Sequence, residues 1–76
     1  MQLLIERDSG AVTVDGRTHI VDCTSLQAEV QRVRWLDDHG EIHFRDGKVS
    51  GLGDIMRFRQ VLTLWQEKED ALKTRR

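Results

Sequence analysis

The spacing of apolar residues changes period near residue 50, and this change constrains the fold more than any other feature of the chain. Before it, apolar and polar side chains alternate in short runs separated by glycine-containing turns. After it, apolar residues recur every three or four positions without interruption by proline, which is absent from the whole chain. Alternation with period two marks half-buried strands, and recurrence with period 3.6 marks an amphipathic helix. The chain therefore reads as a single α+β domain over residues 1–76. It has an antiparallel meander of four to five strands over about 2–49, packed against one long C-terminal helix over about 54–73.

Leu3 and Ile5 share a face in the first run, Asp8-Ser9-Gly10 is a turn, and Val12 and Val14 alternate in the second run. Asp15-Gly16 follows, the strongest short-range hairpin cue. Arg17 to Asp22 reads as the return strand, with His19 and Val21 on one side. Ser25 with Ala28 and Glu29 suits a short helical crossover. Val33 and Trp35 alternate in the next run. Asp37-Asp38-His39-Gly40 reads as a four-residue turn with glycine at the position needing positive φ. Ile42 and Phe44 follow on one side, and Lys48-Val49-Ser50 after Asp46-Gly47 is read as a short edge strand. In the helix, Ile55, Phe58, Leu62, Trp65 and Leu72 form the stripe, with Val61 beside it and Asp54 as N-cap. The expected core is Leu3 or Leu4, Ile5, Val12, Val14, Val33, Trp35, Ile42, Phe44, Phe58, Leu62 and Trp65.

Glu69 falls inside the helical stripe. A buried carboxylate without a partner costs several kcal/mol. Either the helix leaves the sheet soon after Trp65, or Glu69 reaches a cation at the sheet margin. An ion pair from Glu69 to Lys73 is also read from their i,i+4 spacing. Met56, Leu64 and Ala71 lie off the stripe. Leu64 and Ala71 make a second narrow face, and these three residues are interaction candidates.

Chemistry is sparse. A lone cysteine, Cys23, excludes an internal disulfide and any zinc site built on several cysteines. Asp22 beside it opposes thiolate formation, so Cys23 reads as a small buried apolar residue. His39 and His43 flank a turn, where their spacing does not make them converge on a metal. Gly51-x-Gly53 precedes the helix, but Asp54 occupies the anion position and the Lys-Ser/Thr pair of a phosphate loop is missing. No catalytic, cofactor or metal residue is therefore expected, and no enzyme. Twelve basic residues against 13 acidic ones leave a net charge of −1, which steers the chain toward neither nucleic acid nor an anionic membrane. The longest apolar run, Leu3 to Ile5, is far short of the roughly 20 residues a membrane helix needs. Arg32 and Arg34 share the strand face opposite Val33 and Trp35. With the basic C-terminal tail they form the alternative reading, a small nucleic-acid-binding regulator.

One likeness extends this reading. Val21-Asp22-Cys23-Thr24-Ser25-Leu26, then Val30, Val33 and Trp35, then Gly40-Glu41-Ile42-x-Phe44, then Asp54, Phe58, Val61-Leu62 and Trp65, resembles small uncharacterised proteins of phage and prophage tail modules, often found near tail-fibre genes. The likeness spans about Val12 to Trp65 and rests on core and turn residues. Those proteins often carry proline where this chain has Gln27 and Arg57. The resemblance implies a non-catalytic protein–protein interaction module, a structural or assembly accessory of a phage tail, in the cytoplasm or associated with the virion. The partner would be a tail component, with self-association into a homo-oligomer as further support for so small a core.

Overall fold

The computed structural model describes residues 1–74. Six strands form one antiparallel sheet: β1 (Gln2–Glu6), β2 (Ala11–Val14), β3 (Arg17–Ile20), β4 (Val30–Leu36), β5 (His39–Phe44) and β6 (Val49–Leu52). A 3-10 turn (Ile55–Phe58) leads into helix α1 (Arg59–Thr74). The fold class is α+β, with six strands where four to five were expected.

The strand order is β3-β2-β1-β4-β5-β6, so the sheet is two three-stranded meanders joined along β1 and β4. A single continuous meander is thus corrected. The chain runs outward from β1 to β3, returns through residues 21–29, and starts again beside β1. That return is not helical. It is a pair of tight turns, closed by Leu26 N–H to Cys23 O and Val30 N–H to Gln27 O, both 3.0 Å. The turns carry Val21, Cys23 and Leu26 into the core. Among the strand linkers, Asp15-Gly16 makes the expected two-residue hairpin, with φ of 49° and 85°. Positive φ at both central residues matches the right-handed strand twist, and glycine adopts it without a Cβ penalty.

Gly40 is a correction of another kind. Leu36 pairs with His39, so the hairpin loop is Asp37-Asp38, with Asp37 taking the positive φ of 57°. Gly40 lies inside β5 opposite Trp35, where a Cβ would stand 2.9 Å from Trp35 Cε3 and overlap the Arg34 carbonyl. Close packing, not a left-handed turn, requires glycine here.

One sheet face is apolar. Leu3, Ile5, Val12, Val14, Val33, Trp35, Ile42 and Leu52 are buried on it, together with Phe58, Val61 and Trp65 from the helical segment. Val30, Val21, Cys23 and Leu26 complete the cluster, while Phe44 and Leu62 are only partly buried. Leu72 is exposed. The buried helical face is Phe58, Val61, Trp65 and Glu69. Asp54 caps the segment by accepting Met56 N–H at 2.9 Å, as its sequence position implied.

Glu69 takes the second of its two readings and does not turn to Lys73. It is buried, and Arg17 Nη1 donates to both its oxygens at 3.0 and 3.1 Å. His19 Nε2 stands 3.3 Å from Oε1, at charge-pair distance but off hydrogen-bond alignment. Trp65 stacks edge-on against His19 and donates Nε1–H to Arg17 O at 3.1 Å. These contacts tie the end of α1 to β3. Burial pushes the Glu69 pKa up, but Arg17 and then His19 outweigh it, so the group ionises below its ordinary 4.5. Its ionisation therefore stabilises the fold above pH 4.5, and the contribution is lost as pH falls through the depressed folded value. In thermal melts, Glu69→Gln is expected to melt below the wild type at pH 7, with the gap closing as the pH drops below 4.5. The wild type still loses stability in acid for other reasons, because Asp8, Asp22 and Asp38 also ionise below their ordinary value. A gap independent of pH would show that the Glu69 charge does not stabilise the fold.

Candidate interaction surface

Among the described residues, no helix lies over the opposite face of the sheet. Alternation puts Leu4, Glu6, Thr13, Thr18, Ile20, Arg32, Arg34, Leu36, Glu41, His43 and Val49 on this side, and strand register lines them up in rows. One row runs Ile20, Ala11, Glu6, Arg32, His43, Val49. The next runs Thr18, Thr13, Leu4, Arg34, Glu41, Gly51.

Charges within these rows are settled unevenly. Arg32 Nε donates to Glu6 Oε1 at 2.7 Å. Thr13 and Thr18 hydroxyls bond at 2.7 Å. Glu41 lies directly opposite Arg34, yet its Oε2 turns toward His43 Nε2 at 3.2 Å. Arg34 is thus an exposed cation with no ion pair among the described residues. It lines an open groove of about 460 Å³ together with Leu4, Thr13, Leu36, His39 and Gly40. Leu36 is 46% exposed and Ile20 61%, at opposite ends of the face.

The other sequence candidates are scattered. Met56 is exposed on the 3-10 turn at 57%. Leu64 is partly buried against the core, on a helix that Trp65 and Glu69 dock on β3. Ala71 shares a shallow depression with Leu64, Ile20 and Val21. Arg57 lies over the Phe58 ring at 5.9 Å, and the last two arginines of the basic tail lie outside the described residues. Two pairs are brought together: Arg32 with Arg34 on the open face of β4, and Leu64 with Ala71 along one side of α1. The apolar members of the open face, Leu4, Leu36, Ile20 and Val49, were not singled out as a surface. For Leu4, Leu36 and Ile20 the signal was present, since each stands next to a core residue in its run.

Chemical groups do not converge. Cys23 is buried, and burial, then Asp22, pushes its thiol pKa up. Among the described residues, no three histidine, cysteine, aspartate or glutamate side chains are grouped to hold a metal ion. Asp8 and Arg45, joined by two hydrogen bonds, clamp the β1–β2 turn to the end of β5. Among the described residues, no helix is long and apolar enough to cross a membrane. Comparison with protein-family models, with curated proteins and with solved structures gave no match.

Proposed function

We propose that this chain is a non-catalytic protein–protein interaction module, a structural or assembly accessory of a phage or prophage tail, working in the cytoplasm or on the virion. The observation that carries the interaction reading is the uncovered sheet face with Arg34 unpaired beside exposed Leu36 and half-buried Leu4. A cation next to apolar side chains on a broad, rigid sheet suits a partner protein that presents a carboxylate flanked by apolar residues. Charge complementarity then sets orientation, and the apolar neighbours exclude water. The tail context comes from the resemblance of the core and turn residues between Val12 and Trp65.

Nucleic-acid binding is less well supported by the same face. Arg32 is already held by Glu6, and Glu41 sits across from Arg34. Phosphate would meet as many carboxylates as cations in these rows.

The test is titration of the purified chain against individually expressed tail-fibre and tail-assembly proteins by calorimetry. One of them is expected to bind, and Arg34→Glu is expected to weaken that binding by about tenfold or more. No retardation of DNA or RNA is expected at low salt, where phosphate contacts are strongest. Failure of every tail protein to bind, or binding unchanged by Arg34→Glu, would refute the reading.

A further inference from the structure

We propose that two copies of this chain join edge to edge through β6, in an antiparallel pairing centred on Gly51 that sets Lys48 of each copy opposite Asp54 of the other. The inference stands on the edge strand, independently of any tail partner.

The two sheet edges differ. Over β3, helix α1 leans close: Trp65 bonds Arg17 O, and Arg17 reaches Glu69. The β6 edge, Val49-Ser50-Gly51-Leu52, has no charged residue and no proline, and these are usual protections of an exposed edge. Its inner ladder is in register with β5, Ile42 opposite Ser50 and Gly40 opposite Leu52, and begins with Phe44 N–H to Lys48 O at 2.9 Å. In an antiparallel ladder, hydrogen-bonded and non-hydrogen-bonded pairs alternate. Lys48, Ser50 and Leu52 therefore turn their backbone groups inward. Val49 and Gly51 point theirs outward, and beside Gly51 a Cβ would meet nothing within 4 Å.

The segment is self-complementary in charge. Lys48 and Asp54 stand three residues either side of Gly51. Antiparallel pairing about Gly51 matches Lys48 with Asp54 twice, by symmetry, and joins outward-facing Val49 and Gly51 to outward-facing positions of the second copy. Asp54 is extended, with φ −144° and ψ 121°, so the strand-like path continues to the end of this segment. Its Oδ1 accepts from Met56 N–H, and Oδ2 is available to a lysine. Lys48 is 83% exposed and only 3.9 Å from its own Asp46, a weak hold. A pairing centred on Ser50 would set Lys48 opposite Leu52 and lose both ion pairs. The Gly51-centred register also keeps side-chain parity, so the two sheets continue with their open faces on the same side.

Light scattering of the full chain over a wide concentration series is expected to give twice the 8.8 kDa of one copy. Lys48→Glu and Asp54→Lys variants are each expected to weaken dimerisation by about tenfold or more, and an equimolar mixture of the two is expected to restore it. Oxidised Gly51→Cys is expected to form a covalent dimer, because paired Cα atoms near 5.5 Å suit a disulfide. Ser50→Cys is expected to remain uncrosslinked. A monomer at every concentration, a mixture that stays monomeric, or cross-linking at Ser50→Cys in place of Gly51→Cys would overturn the proposal.

Discussion

Trp65→Ala is expected to lower the free energy of unfolding by about 3–5 kcal/mol, the usual cost of emptying a large aromatic site in a core. A domain of 76 residues has about 4–11 kcal/mol in total, so this one substitution would leave the fold marginal and lower its melting temperature by roughly 12 °C or more. The indole is buried, edge-on to the His19 ring at 5.4 Å, and its Nε1–H satisfies Arg17 O. Its removal detaches the middle of α1 from β3 and loosens the wall around the Glu69 carboxylate. Trp65→Phe separates the two contributions. It keeps most of the ring contact and loses the hydrogen bond, at about 1 kcal/mol. Urea titrations followed by circular dichroism measure both. An alanine variant within about 1 kcal/mol of wild type would show that α1 is not anchored through this residue.

Trp65 was legible in the sequence because a large aromatic at helical spacing has only one apolar layer to join. Asp54 and Asp15-Gly16 were legible because a cap and a two-residue hairpin are chemistry local to a few residues. Glu69 was half legible: its position in the stripe required either a partner or departure from the sheet, but the partner, Arg17, lies 52 residues away in the chain. Val61 displaced Leu62 as the deepest helical residue, and the reason is phase. The segment opens as a 3-10 turn, which advances about 120° per residue, so a stripe drawn from Ile55 at the α-helical 100° is out of step by the time α1 begins. Val21 and Leu26 are buried because the chain returns along the core from β3 to β4. Such a return has no period to read, and burial of Cys23 beside them was legible only from its chemistry, a lone thiol next to Asp22. The strand order was equally hidden, since nothing local says that β4 pairs with β1. The candidate surface followed from alternation alone for Arg32 and Arg34. That Arg32 is held by Glu6 while Arg34 stays unpaired depends on a register set by long-range pairing.

Gly40→Ala is expected to cost about 3 kcal/mol, the upper end of ordinary overpacking. The reason is what a methyl group would meet. It would overlap the Arg34 carbonyl and come within 2.9 Å of Trp35 Cε3 and 3.1 Å of Trp35 Cα. Neither neighbour can retreat easily. Arg34 and Trp35 belong to β4, which is paired on both sides by β1 and β5. The Trp35 ring is also fixed by its Nε1–H bond to Asp37 O at 3.1 Å. Relief would have to come from moving the centre of the sheet, which also carries Arg34 on the open face. A glycine needed only for a turn would behave differently, because Gly40 does not have positive φ and alanine would suit its backbone. Gly51→Ala is the control. Its added Cβ meets nothing within 4 Å of the single chain, and the monomer is expected to change by no more than about 0.5 kcal/mol. Urea unfolding of both variants at low protein concentration compares them directly. Equal, small losses would return Gly40 to the role of an ordinary loop glycine. A large loss confined to Gly40→Ala, with weaker partner binding through Arg34, would tie the packing of Trp35 on one side of β4 to recognition on the other.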